Sequence, residues 1–557
     1  MSNRRASAQV FVPKDASKPQ RDGALRRAML RADAAWRLGF WPIGHFAWHR
    51  LAGGRLADAA TPAGPFLASA AAAGPAPARD WHGPFDPAAP AHSIDLFAAG
   101  DVRPVWERNR LGELASLAQC DLAAAESLLA GWVAANPPFR GPNWACGQEA
   151  ALRVLHLGLA LGLLDQDPSP GMRDLVTLHS RRIAQNPAYA MAQDNNHPIS
   201  EAAGLFACGL LLRDGAMTVL GSRRLSRAVG RLVAPCGNFA PVSPHYQRLL
   251  LDVLWAAEWL RQRHGAPAFA APFRDRAAAA TRWLARLACP DTGALPRIGH
   301  CDGSAFADLA NTGPDDARAS ILRATAIFGA TAPDADWIAE GLRGWSSAGA
   351  RAVLRTGPIR FRPAHADLLH LDLWDGPVPI LRDGGTGAYN PAPADRWWLD
   401  HLPGTAAHNT IAFDGQDQMP RAGRFLFARW PRTKTLPDGA AITDHAGRRH
   451  ERRIAATGRA WRVEDRISGP FADAVLRWRL GPGAWAATPD GAEAPHARLR
   501  LSADAPCTVA IEQGWASPAY GVVEPAAVVT LRARAPVHRL VTEILLPDGT
   551  PSDGTPG

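Results

Sequence analysis

Between positions 105 and about 328 the apolar residues recur at steps of three and four, interrupted by Pro- and Gly-marked breaks, which is the pattern of amphipathic helices. A helix is predicted over 147–164, where Ala151, Leu152, Leu155, Leu159 and Leu163 form one broad apolar face. Three more are predicted over 199–212, 246–263 and 277–287. Near Gly344 the period changes to two, and Leu369, Leu371 and Leu373 alternate with His370, Asp372 and Trp374, as a half-buried strand requires. Further strands are predicted over 411–413, 424–428, 459–467, 475–480, 499–501 and 541–546, separated by Asp-Gly and Gly-Pro turns. The expected organisation is helices and then strands: stacked helical hairpins over 105–344, followed by an antiparallel β-sandwich over 345–546. Residues 1–104 read as a wrapping segment without clear periodicity, and 547–557, all turn-formers, as a disordered tail.

Length agrees with this division, because 557 residues exceed what a single core usually organises but suit two large domains. A composition 47% apolar and 20% charged is that of a folded protein. The net charge of +9 favours an acidic partner without distinguishing nucleic acid, lipid and acidic sugar. Seven widely spaced cysteines with no Cys-x-x-Cys pair argue against a disulfide framework, and Cys208, inside an apolar run, reads as a small buried hydrophobe. The first thirty residues lack an apolar h-region, so a cytoplasmic location is expected, with the periplasm as the alternative. No stretch approaches about 20 uninterrupted apolar residues, so no membrane span is expected.

Candidate chemistry sits at predicted helix entries and strand edges. Asp194-Asn195-Asn196-His197-Pro198-Ile199-Ser200-Glu201 runs into a helix, where amide and imidazole donors beside free backbone N–H groups suit a carboxylate; helix capping by Asn196 or His197 explains the same residues. Ser243-Pro244-His245-Tyr246-Gln247-Arg248 opens the next long helix and carries one of only 4 tyrosines, which could equally anchor the core. Trp144, ahead of Gln148 and Glu149, reads as exposed and able to stack on a sugar ring, or as core. His365 with Asp367, Asp383 in Asp-Gly-Gly-Thr, and His408 in His-Asn-Thr stand at strand edges or turns; two His and an Asp could converge on a tetrahedral metal, or be three separate structural residues.

Taken in order, Asn-Asn-His followed by Glu, the tyrosine at the next helix entry, His-Ala-Asp, Asp-Gly-Gly-Thr and Ala-Ala-His-Asn-Thr-Ile-Ala-Phe-Asp-Gly-Gln-Asp-Gln resemble the heparinase II/III-like polysaccharide lyases from about position 105 to 480. The resemblance implies an (α/α) toroid followed by an antiparallel β-sandwich, with an acidic polysaccharide or oligosaccharide, and no nucleic acid, as partner. It implies β-elimination at a uronate, leaving 4,5-unsaturated ends, with Tyr246 working at the scissile bond and Asn196 and His197 neutralising the carboxylate. Trp144, Glu149, Glu201, His245, Arg248 and His300 are then substrate-binding candidates, and His365, Asp383 and His408 would hold a structural divalent metal, expected to be zinc.

The sequence departs from the family pattern at two places. Many members have His-x-His-Ala-Asp, whose first His is held to be catalytic, where this chain has Pro363; the usual His after the tyrosine is Gln247. The general base is therefore open among His245, His300, His370 and Tyr246, with Arg248, Arg297 or Arg382 supplying positive charge. Two other readings stand beside the lyase: a glycoside hydrolase on a similar toroid, drawing on Glu149, Glu201 and Asp302, and a non-catalytic glycan-binding protein of exopolysaccharide assembly.

Overall fold

A computed structural model describes residues 23–52, 55–67, 79–304, 306–307, 309–310, 312–313, 315–329 and 336–547. The tail expected to be disordered lies, from 548 on, outside the described residues.

Helices occupy the chain as far as Phe328 and antiparallel strands dominate from Trp337, eight residues after the last helical turn of the first part. The four predicted helices are present as Gly147–Leu163, Asn196–Leu212, Pro244–Arg263 and Ala271–Leu287. Asn196–Leu212 and Pro244–Arg263 start earlier than predicted because their capping residues lie farther back: Ser243 Oγ accepts from Tyr246 N, and Asn195, neither Asn196 nor His197, caps the helix that follows it. Pro170–Gln185 and Gly215–Leu232, capped by Ser169 and Asp214, complete this packing around one continuous core. Cys208 is buried in that core as expected.

Four antiparallel sheets make up the second part. A five-stranded meander runs from Trp337 to Leu381; an eight-stranded and a four-stranded sheet pack over a second core containing Trp461, Trp478 and Leu531; and a two-stranded ribbon joins Arg421–Gly423 to Leu426–Phe427. The strand expected around Leu369 begins at Leu371, because Leu369 has a left-handed φ of 62°. It is not half-buried: His370 and Asp372 are as enclosed as the leucines, since their face turns toward a polar cluster described below.

Residues 24–52, unreadable from periodicity, form two helices, Ala24–Leu38 and Phe40–Ala52. The first packs Leu30 and Ala34 against Ala428 of the β-rich part, and Asp33 Oδ2 accepts from Arg429 N at 2.5 Å. The second lies along Pro187–Gln193, where His49 meets Asn186 at 2.6 Å and the Tyr189 ring at 5.0 Å. The pair thus straps the helical part to the β-rich part.

Candidate functional site

Tyr246 is in the first turn of Pro244–Arg263 with its ring buried, and its hydroxyl donates to Asp302 Oδ2 at 2.9 Å. The Tyr389 hydroxyl lies 2.9 Å from the same oxygen of Tyr246. Asp302 is fixed by Arg103 Nε at 3.2 Å and by Ser304 N at 2.9 Å. Burial works to raise the Asp302 pKa, but the Arg103 charge and the Ser304 hydrogen bonds outweigh it and bring it to about 2. Burial and the adjacent Asp302 charge in turn hold the Tyr246 hydroxyl well above its ordinary value. Of the arginines expected to supply positive charge, Arg248 directs its Nε to Ser320 Oγ at 3.1 Å, while the phenol hydroxyl faces a carboxylate. Tyr246 is built to hold a proton.

His300 is the imidazole nearest this phenol, its ring 6.2 Å from Tyr246, 5.4 Å from Tyr389 and 5.7 Å from both His365 and Phe425. Burial lowers its pKa to about 4, so it is neutral at physiological pH. Tyr520 continues the tyrosine group: its oxygen accepts from Tyr389 N at 2.8 Å and donates to Asp101 Oδ2 at 2.6 Å. The β-rich part thereby brings two hydroxyls to the helical part, Tyr520 to Asp101 and Tyr389 to Tyr246. Sequence reading missed Tyr389, Tyr520, Asp101 and Arg103; the scarcity of tyrosine was the available signal, since three of the 4 in the chain meet here.

Asn196 and His197 are in the first turn after the Asn195 cap, whose side chain accepts from His197 N at 3.1 Å. Asp194, at φ 45°, is clamped by Arg231 at 2.7 and 2.8 Å, which fixes the turn that presents them. Burial lowers the His197 pKa to about 4. This imidazole is therefore neutral, a hydrogen-bonding group and not a cation. Glu201, one turn on, has Oε1 4.0 Å from His197 Nδ1, and burial raises its pKa to about 8.

Other candidates are placed elsewhere. Trp144 is not exposed: it is enclosed between Phe139, Trp132 and His179, because its helix entry points into the core. Glu149 receives both Nε and Nη2 of Arg110 at 2.7 and 2.8 Å, a buried bidentate pair. His245 turns away from the phenol and lines a 140 Å³ cavity with Arg297, Asp372, Arg382 and Asp383. His370 Nε2 is confined between Asp372 Oδ2 at 3.1 Å and Asp383 Oδ2 at 3.4 Å, and its Nδ1 accepts from Asn409 N. Gln247, at the position of a usual histidine, bonds Phe239 N and Gly237 O and holds a loop.

His365, Asp383 and His408 do converge: one donor atom from each lies within 4.8 Å of the others, and all three are buried. His408 Nδ1 meets Asp383 Oδ2 at 2.9 Å. His408 Nε2 and both nitrogens of His365 are buried without a hydrogen-bond partner among the described residues. Unpaired buried imidazole nitrogens beside a carboxylate are a donor set that fits one divalent cation, with His370 bracing Asp383 from outside.

Residues 332–551 match the family model "Heparinase II/III-like, C-terminal". No curated protein matches the chain. Among solved structures, heparinase III superposes with a TM-score of 0.61 at 15% identity, over 80% of this chain and 78% of that one. Heparan sulfate lyase HepC from Pedobacter heparinus gives a TM-score of 0.54 at 17% identity, over 80% and 77%. Identities this low establish the fold, and they do so across both the helical and the β-rich parts, as an (α/α) toroid followed by antiparallel β-sheets. The β-rich part of this chain thus matches the heparinase II/III-like C-terminal family model, and the chain as a whole has the fold of heparinase III.

Proposed function

We propose that the protein is a polysaccharide lyase that cleaves an acidic, uronate-containing glycan by β-elimination. The observation that carries this reading is the Tyr246 hydroxyl, protonated by its surroundings and held between Asp302 and Tyr389 beside the neutral His300. The C5 proton of a uronate becomes removable only when charge developing on its carboxylate is stabilised, and Asn196 and His197 supply hydrogen-bond donors for that purpose. His300, neutral above about pH 4, is the base best placed to take the C5 proton, and Tyr246 gives its proton to the departing O4 oxygen. The cycle closes when the proton taken by His300 returns to the Tyr246 oxygen by way of Tyr389, whose hydroxyl lies 2.9 Å from it and whose ring lies 5.4 Å from that of His300.

His365, Asp383 and His408 would hold one divalent cation, zinc by the donor types. When bound it supplies structural cross-linking of three loops, while His300 packs against His365 on the outer side.

Of the three carboxyls a glycosidase could draw on, Glu149 and Asp302 are clamped by arginine and held in the low range, unsuited to a general acid, and only Glu201, raised to about 8, has the protonation that role needs. The deciding experiment is product analysis on a panel of acidic glycans. Ultraviolet-absorbing 4,5-unsaturated ends support elimination; saturated ends identify a hydrolase; retention of glycan without cleavage identifies a binding protein. Tyr246→Phe should lower the rate of unsaturated-end formation by about 10²-fold or more with folding unchanged.

A further inference from the structure

Of the seventeen large hydrophobic side chains exposed among the described residues, nine fall between Leu25 and Leu51. This is a concentration that isolated surface apolar residues do not produce. The orientation is the reverse of a normal surface helix. In Phe40–Ala52 the residues turned toward the protein are Pro42, His45 and His49, with half-exposed Trp41 against Arg231, whereas Ile43, Phe46, Trp48 and Leu51 face outward. In Ala24–Leu38, Leu30 and Ala34 pack inward while Leu25, Met29 and Trp36, at helical spacing, make a second apolar face on the other side.

The charge is as unevenly distributed as the exposed apolar surface. The first 52 residues contain ten Lys or Arg and three Asp, so +7 of the chain's +9 comes from less than a tenth of its length. Phe40–Ala52 contains no acidic residue, and the one acid of Ala24–Leu38, Asp33, is bonded to Arg37 and Arg429 N. Beside the strap, Trp41 and His45 share a 220 Å³ cavity with Arg224 and Arg227 of Gly215–Leu232, while Arg231 in the same wall is paired with Asp194.

From this geometry we infer that the helix pair 24–52 is an interfacial anchor that docks the protein on an anionic phospholipid bilayer, its aromatic and aliphatic face entering the headgroup boundary. Basic residues with Trp, Phe and Leu on an outward face are what such a surface selects, through apolar burial combined with attraction to acidic headgroups. Leu25, Met29, Ile43 and Leu51 distinguish this surface from a sugar-stacking platform, because aliphatic side chains offer no flat face to a pyranose ring. The concentrated charge distinguishes it from a contact between two copies, which would bring together two helix pairs that each carry five Arg and one Asp. The strap packs on the two parts of the protein by its other faces, so docking leaves both attachments in place.

The test is flotation of the full-length chain with vesicles of phosphatidylcholine containing about one quarter phosphatidylglycerol, against vesicles of phosphatidylcholine alone. Binding at least 10-fold stronger to the anionic vesicles, weakened by salt, is expected. Trp36→Ser/Phe46→Ser/Trp48→Ser should reduce it at least 10-fold, and Arg31→Glu/Arg50→Glu, a purely surface pair, should do so if the triple variant fails to fold. Equal partitioning to both vesicles, or none, overturns the proposal. So does a concentration-dependent dimer that the triple variant abolishes without vesicle binding, or retention on an immobilised acidic glycan lost in that variant while vesicles are ignored.

Discussion

Tyr246 and Asp302 are joined by a 2.9 Å hydrogen bond in which the phenol is the donor and the carboxylate, paired with Arg103, remains charged. This polarity decides the phenol's role: a tyrosine facing an anion resists losing its proton and is a poor base, yet is well placed to deliver that proton to a leaving oxygen.

Asp302→Asn tests that relationship. The amide removes the anion that raises the phenol's pKa and leaves buried Arg103 to its ion pair with Glu107. Loss of one member of a buried pair is strongly unfavourable, so stability should fall by about 2–4 kcal/mol in denaturant unfolding. The alkaline limb of the rate profile should move to lower pH. An unmoved limb would show that Asp302 does not set the phenol's protonation.

Tyr389→Phe keeps the ring against His300 and Phe425 and deletes only the hydroxyl beside Tyr246. If that hydroxyl reprotonates Tyr246 between turnovers, kcat should fall roughly 10-fold, less than for Tyr246→Phe, with the melting temperature nearly unchanged. A wild-type kcat would make it a packing residue.

The His365, Asp383 and His408 cluster predicts about one zinc per chain by elemental analysis. His408→Ala should lose the metal and lower the melting temperature, and chelation should lower it in the wild type but not in the variant, because the three loops are then no longer cross-linked. A chelator-insensitive wild type free of stoichiometric metal would remove the cation from the account.

How much of this was legible follows from what each signal depends on. The long helices were, because their cores repeat at helical spacing, as Leu249, Leu250, Val253 and Leu254 do. The strap was not, since Phe40–Ala52 puts Pro42, His45 and His49 inward and so violates the pattern that periodicity detects. The strands Cys507–Ala519 and Val522–Arg534 were missed because partly exposed polar positions interrupt their alternation. Tyr246, His365, Asp383 and His408 stood out through local motifs, whereas Tyr389 and Tyr520 meet Tyr246 and Asp101 from more than a hundred residues away, and only the chain's path between the two parts brings them together. Trp144 was misjudged because a tryptophan at a helix entry looks the same in sequence whether the entry points outward or into the core.

Acid should affect the reaction through His300. Burial lowers its pKa to about 4, so as a base it is unprotonated above that value, and activity should be lost only as pH falls through about 4. The expected kcat/KM profile is flat from about pH 5 upward to where a phenol ionises. A loss centred between pH 6 and 7 would point to a solvated imidazole as the base and would exclude His300.

Glu201 gives the last prediction, and its sign is opposite to that of most carboxylates. Burial raises its pKa from the ordinary 4.5 to about 8, against the lowering effect of Arg182 and Arg224, so the folded protein holds a proton that the unfolded chain releases. Between those two values the native state binds more protons than the unfolded one, and stability must decline as pH rises. Below about pH 4.5 both states are protonated and the cost vanishes. At pH 7 a shift of this size corresponds to about 3 kcal/mol of destabilisation. Glu201→Gln removes the ionisable group while keeping its shape against Gly147, which its carboxyl covers too closely for a Cβ there. The variant should therefore melt a few degrees higher than wild type at pH 7–8 and at the same temperature near pH 4, measured by scanning calorimetry. If the amide is destabilising at pH 8, Glu201 is ionised in the folded protein, paired with an imidazolium at His197, and the recognition of a substrate carboxylate would have to be assigned to Asn196 alone.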